Sequence, residues 1–304
     1  MKHIIITNPM AGKRNKNLKY AKIIKRVLKN NNIDSEIIIS NFPGNVIEIV
    51  KDFSSKYNCR FYSVGGDGTL NEIVTGIINS KSEIVVIPAG TGNDFAKITN
   101  EFKSVRKIIL NSINKDSTPV DVMKVNKSNY CINILSAGFD ALVGKNVDKF
   151  KFIPFVSGKF KYNLSILYTL FINKNFKFKL RCNDDILKQH FTMVAISNGL
   201  YYGGGICPNN DAIIDDGILN VCTIDKTNLF DKILLLPYYK KGTHQNLKQV
   251  NFFKSSKINI VSNSKFPVNI DGEVFYTNKL NVRLIPKAIN IVFTTKKQNI
   301  DFSS

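Results

Sequence analysis

Two hydrophobic periods divide the chain. Over the first third, short runs of β-branched and aromatic residues alternate with stretches whose apolar residues recur at helical spacing. HIIIT (3–7) predicts a strand. After a loop at 8–16, Leu18, Ala21, Ile24, Val27 and Leu28 recur at helical spacing, with Lys19, Lys22, Lys25, Arg26 and Lys29 largely filling the other positions. DSEIIIS (34–40) predicts a second strand, and Pro43-Gly44 leads into a second helix built on Val46, Ile47, Ile49, Val50 and Phe53. RFYSV (60–64) and EIVVI (83–87) are further strands, each running into a glycine-rich loop. Strands alternating with helices predict a mostly parallel sheet covered on both faces.

After Pro119 the period shortens. VDVMKV, YCINILSAGF, FKFKLRC, HFTMVAISNG, GILNVCTI, KINIVS, PVNIDGEVFY and LNVRLIP read as strands separated by turn residues, as in an antiparallel β-rich domain. Helical stretches at 161–171 and 229–239 interrupt them. The expected division is an α/β nucleotide-binding domain at 1–120 and a β-rich, sandwich-like domain at 121–287. AINIVFTT, near the end, is a strand that the pattern alone assigns to neither, so 288–304 is a candidate completion of the first domain.

Composition agrees with two domains: 304 residues, 43% of them hydrophobic, exceed the roughly 100–200 of a single domain. The formal charge of +20 and pI of 9.7 point to a polyanionic partner, whether nucleic acid, an anionic membrane or a phosphorylated substrate. Part of that excess belongs to a general Lys, Asn and Ile bias such as an AT-rich genome imposes. Five scattered cysteines without a CxxC, and three histidines apart from them, argue against a zinc site or disulfide framework. MKHIIITNP is too short and too quickly polar for a signal peptide, and no run of ~18 apolar residues exists for a spanning helix. The expected location is the cytoplasm.

The chemistry concentrates in three loops, 8–16, 65–69 and 88–94, each following a strand and preceding a helix. In an open α/β sheet such positions share the carboxyl edge, where ligands bind. In SVGGDGTLNEIVTGI, Gly65, Gly66 and Gly68 allow positive φ and a close backbone approach, while a helix expected to begin near Thr69 aims its positive end at the same place. That is a phosphate cradle. It is neither GxxxxGK[ST] nor GxGxxG. Lacking a P-loop lysine, it leaves Asp67 to act through Mg²⁺ or its water shell, with Asn71 and Glu72 in the first turn facing the ligand or capping the helix. The plainer reading is a glycine turn with Asp67 as the cap. PAGTGNDF (88–95) repeats the arrangement after the neighbouring strand, with Gly90, Thr91, Asn93 and Asp94 suited to phosphate or ribose.

The pair Gly65-Gly66-Asp67-Gly68-Thr69 with Asn71-Glu72, and Pro88-x-Gly90-Thr91-x-Asn93-Asp94-Phe95-Ala96, resembles the catalytic domain of the diacylglycerol kinase and sphingosine kinase superfamily, in its soluble bacterial branch. GGDGT alone is shared with NAD kinases and 6-phosphofructokinases; the paired motif is more specific. The resemblance continues through Asn8-Pro9-x-x-Gly12, Ser40 with Gly44 (Ser for the usual Thr), Asn133 with Gly138-Phe139-Asp140, Asn198-Gly199, Gly203-Gly204-Gly205, Pro208, Asp215-Asp216-Gly217 and Asp271-Gly272-Glu273.

It implies a 6-phosphofructokinase-like α/β domain joined to a β-sandwich, and phosphorylation of a lipid hydroxyl, diacylglycerol to phosphatidate first, with ATP and Mg²⁺. ATP rather than GTP rests on the resemblance. By it, Asn8, Pro9, Gly12, Ser40, Gly65, Gly66, Asp67, Gly68, Thr69, Asn71, Glu72, Gly90, Thr91, Asn93 and Asp94 hold the nucleotide, Asp67 organising metal and phosphates. Glu273 is the proton acceptor, and Asp216 with the Ile213 and Ile218 carbonyls holds a structural Mg²⁺. The plainer reading of both acidic segments is a turn, DG being a strong hairpin signal. Lys13, Arg14, Lys16 and Lys161 are expected to dock peripherally on an anionic bilayer. A homodimer stays open. The alternatives are a kinase of phosphatidylglycerol, a sphingoid base or NAD, and a basic nucleic-acid-binding protein with a regulatory nucleotide site. Against the last, no helix-turn-helix, RNP or zinc-finger pattern occurs, and no nucleic-acid partner is expected.

Overall fold

The structure, a computed structural model, describes residues 1–8, 14–42, 44–150, 152–153, 156 and 158–295, without the side chains of 14, 15 and 159. It forms two compact units, 1–120 with 287–304, and 121–286.

The first unit alternates β1 (Lys2–Thr7), α1 (Arg14–Asn30), β2 (Ser35–Ile39), α2 (Asn45–Lys56), β3 (Cys59–Gly65), α3 (Asp67–Ile77) and β4 (Glu83–Pro88), then a single turn α4 (Ala96–Thr99) and α5 (Val105–Ser112). Its strands pair in parallel in the order β2-β1-β3-β4. The stretch AINIV joins this unit: Asn290 lies opposite Glu83 and Ile291 opposite Ile84, parallel to β4. Every residue of β3 is buried, as a parallel strand covered on both faces requires. Ile5, Val64, Val85 and Ile87 pack with Ile24 and Leu28 of α1 and Ile108 of α5. Elsewhere α2 and α3 meet so closely that a Cβ on Gly76 would stand 2.7 Å from Val50 Cγ1. At the start of β3, buried Arg60 pairs with Glu83 at 2.7 Å and donates to the carbonyls of Ser112, Ile113 and Lys115. It thereby gives partners to carbonyls at and just beyond the end of α5.

The second unit carries β5 (Thr118–Val125), β6 (Asn129–Cys131), β7 (Ile134–Gly138), α6 (Phe139–Asn146), α7 (Gly158–Ile172), β8 (Phe176–Cys182), β9 (Asp185–Ser197), β10 (Leu219–Asp225), α8 (Leu229–Lys241), β11 (Val250–Ser255), β12 (Lys257–Ile270) and β13 (Glu273–Ile291), whose last residues return to the first unit. The order β11-β10-β9-β7-β12-β13 is antiparallel throughout. Because β8 pairs with both β9 and β12, which also flank β7, the ladder closes around a core containing Phe178, Phe191 and Phe266. YCINILSAGF is not the single strand expected. It splits into β6 and β7, and Gly138, at φ 103°, turns the chain into α6, where a Cβ would stand 2.7 Å from the Thr192 carbonyl.

Candidate functional site

In the first unit the strand order reverses around β1, with β2 on one side and β3 and β4 on the other. This is the switch point at which the loops of an open α/β sheet part to leave a crevice. Thr7 lies opposite Val64, and Gly65 opposite Pro88, so the segments after β1, β3 and β4 leave the same edge. Asn8 donates its N–H to the Val64 carbonyl and accepts from Asn17 Nδ2 at 2.8 Å. Buried Ser40 donates its N–H to Thr7 O. Gly44, at φ 84°, donates its N–H to Glu72 Oε1 at 3.2 Å, tying the loop after β2 to α3. Pro9, Gly12 and Lys13 lie outside the described residues.

The two glycine loops are knitted together. Gly65 O accepts from the N–H groups of Ala89 and Gly90, and Asp67 Oδ1 from those of Asp94 (3.0 Å) and Phe95 (3.4 Å). Asn93, itself left-handed at φ 52°, closes a tight turn with Gly90 through two 2.8 Å bonds. Three expectations need correction. Gly65, Gly66 and Gly68 are not in the left-handed region. Space explains Gly65 and Gly66 instead: a Cβ on Gly65 would stand 2.4 Å from Thr69 Oγ1, and one on Gly66 3.3 Å from Gly90 Cα. The helix begins at Asp67, not near Thr69, so Asn71 and Glu72 fall in its second turn. Nor is Asp67 its N-cap, a position held by Gly66. Its carboxylate reaches across to the second loop.

What these residues could hold follows from what they leave unsatisfied. Thr69 Oγ1 and Glu72 Oε2 are buried without a hydrogen-bond partner among the described residues. A Cβ on Gly44 or Gly68 would meet nothing within 4 Å. An open space beside the start of α3, where the N-cap is a glycine, with a hydroxyl and a carboxylate at hand, fits a polyphosphate and its cation. Thr91 is exposed, whereas buried Asp94 is held by Lys97 at 2.5 Å.

In the second unit, Asp271 (φ 45°) and Gly272 (φ 103°) form the two-residue hairpin between β12 and β13 that the DG pair predicts. Asp271 accepts the N–H groups of Ile132 at 3.1 Å and of Asn133 and Ile134 at 3.3 Å. Glu273, the first residue of β13, is exposed. Asp216 accepts from Ile218 N–H at 2.9 Å, and fully buried Asp121 accepts from Gly217 N–H at 2.8 Å. Burial, then the neighbouring Asp121 charge, raises the Asp216 pKa, so a cation here would relieve Asp216. Ile213, one of the two carbonyl candidates, is exposed on the same turn. Asp121 is a residue that sequence reasoning missed, since VDVMKV reads only as strand. Asp140, named in the resemblance without a role, is buried, accepting from Ser136 Oγ at 2.7 Å and bordering a cavity of about 40 Å³ with Tyr239 and Lys232. Burial lifts its pKa to about 6.

Residues 2–125 match the diacylglycerol kinase catalytic domain, and 133–293 the YegS C-terminal NAD kinase beta sandwich-like domain. A Staphylococcus epidermidis protein named "Putative lipid kinase" is 31% identical over 277 residues, 86% of each chain. A Shewanella frigidimarina protein named "Probable lipid kinase YegS-like" is 30% identical over 233 residues, 75% of this chain and 74% of its own. A crystal structure described as a "putative diacylglycerol kinase" from Bacillus anthracis matches with a TM-score of 0.75 at 22% identity, over 96% of both chains, a likeness of fold.

Proposed function

The chain belongs to the diacylglycerol kinase catalytic-domain family, in its YegS-type two-domain form, and from that premise we propose that it transfers the γ-phosphate of ATP to the hydroxyl of diacylglycerol, giving phosphatidate. The observation that carries this reading is the pair of glycine loops locked by Asp67 at the switch point of the first unit. Phosphoryl transfer asks a protein for positioned donors, charge compensation and a base for the attacking hydroxyl. By this reading the loop N–H groups and the start of α3 hold the phosphates, and Asp67 keeps the two loops in register. Thr69, Asn71 and Glu72 border the same space, with Asn8, Ser40, Gly90, Thr91 and Asn93 on the flanking loops. Mg²⁺ supplies the remaining charge compensation. Glu273 takes the proton as the lipid oxygen bonds to the γ-phosphorus and ADP leaves. Asp216, with the Ile213 and Ile218 carbonyls and Asp121 beside it, forms an oxygen-only setting suited to a structural Mg²⁺. Lys16 and Lys161 draw the protein to anionic lipid.

The test is transfer from labelled ATP, with Mg²⁺, to diacylglycerol in mixed micelles, alongside phosphatidylglycerol, a sphingoid base and NAD. Labelled phosphatidate is expected, falling at least ~100-fold in Asp67→Ala. Glu273→Gln should abolish transfer while leaving ATP binding within about threefold. Near-normal turnover in that variant removes Glu273 from the mechanism. Product from another acceptor alone keeps the kinase and replaces its substrate.

A further inference from the structure

α7 and α8 pack against each other on the second unit and are apolar on the side they turn to solvent as well as on the side they bury. α7 buries Ile166 and Leu170 yet presents Leu167 (52% exposed) and Phe171 (72%) one residue further round. α8 presents Phe230 (68%), Leu234 (53%) and Tyr238 (50%) at i, i+4 and i+8, a single stripe, with Ile233 beside it. What α8 buries includes a lysine: Lys232 is 4% exposed, its Nζ donating to Asn173 Oδ1 at 2.6 Å. A helix whose polar face were meant for water would have the opposite arrangement. An apolar surface of this extent marks an interaction site.

Charge selects the occupant. α7 contains no acidic residue, and the sole acid of α8, Asp231, is taken up in the capping box with Asn228 at the helix start. Exposed lysines rim the patch: Lys174 just beyond α7, Lys240 and Lys241 in the last turn of α8, and Lys149 over the Tyr168 ring at 4.4 Å. A two-fold contact between copies would set these lysines largely against their own kind, the acid beside them, Asp148, already pairing with Lys145 at 3.5 Å, in a chain already at +20. Anionic headgroups above hydrocarbon supply both what the rim and what the stripe lack.

We propose that the α7–α8 edge is a bilayer-insertion surface, its Phe171 and Phe230 side chains entering the acyl region of an anionic leaflet while the flanking lysines hold headgroup phosphates. The inference extends the lipid-kinase reading, but its test involves neither ATP nor turnover, so either can fail alone. The chain has no tryptophan, which makes Phe171→Trp and Phe230→Trp clean reporters. Each should shift to the blue on vesicles of mixed phosphatidylcholine and phosphatidylglycerol and be quenched by acyl-brominated lipid. Phe252→Trp on β11, also surface-placed, should do neither. Phe230→Ser with Leu234→Ser should weaken vesicle binding at high salt at least ~10-fold. Unquenched reporters overturn the proposal. So does a blue shift without vesicles that grows with protein concentration, which would assign the edge to a second copy.

Discussion

Asp271 and Glu273 stand two residues apart on one hairpin and carry different burdens. Asp271 holds three successive amide groups of the segment before β7, whereas Glu273 stands exposed. Asp271→Ala strands those amides and should cost about 3 kcal/mol in urea unfolding, the range for losing hydrogen bonds to a charged acceptor. Glu273→Gln should leave the unfolding midpoint unchanged. Equal effects on stability would deny the division. The turn itself was legible, because DG between alternating strands needs only local chemistry. The clamp was not, because its partners lie 137 to 139 positions upstream in sequence. Asp121 was hidden for the same reason, an acid inside an apolar strand whose meaning depends on a turn 96 residues away.

Among elements, the two glycine loops were legible as a pair, though not for the reason their composition suggests. Their glycines serve contact between backbones, which no local pattern reports. Gly90→Ala would press a methyl into Gly66 and should lower stability by about 1–3 kcal/mol while weakening nucleotide binding. Gly68→Ala, with open space around it on α3, should instead raise stability by about 0.5–1 kcal/mol yet still weaken nucleotide binding. Thermal unfolding with and without ATP separates the two. If Gly68→Ala binds ATP normally, the space beside α3 is not the phosphate site. Longer periodic segments such as α1 and β8 announce themselves. α6 does not, since eight residues following an apolar strand without a polar face carry neither period clearly. In the sequence α7 is only a helical stretch among strands, and its second apolar face emerges once Ile166 and Leu170 are seen buried beside exposed Leu167 and Phe171.

Over the whole molecule the two units should answer acid in opposite directions. In the first, burial and then the Arg60 charge lower the His3 pKa to about 4, from 6.5, while its Nδ1 lies 2.9 Å from Tyr62 Oη. Its contribution is complete above the unfolded value and lost as pH falls toward 4. In the second, Asp140 rises from 3.8 to about 6, so its burial costs most above the folded value, and the cost is relieved as pH falls. Acidifying from pH 7 to roughly 4.5 should therefore speed intrinsic-rate-corrected hydrogen exchange in β1 and slow it in α6. His3→Gln should flatten the first response and Asp140→Asn the second. A uniform response would reject both assignments. The change of texture after Pro119 foreshadowed two kinds of sheet, but the pattern could not place the last strand, because parallel pairing with β4 is a long-range choice. That strand has a consequence in time. A ribosome adding roughly 5–20 residues per second needs some 10–30 s to pass from the end of the first unit's main segment to the residues that flank β4. Throughout that interval β4 keeps a bare edge. The part of the protein made first is thus finished last, and a message cut short leaves a chain that cannot complete it.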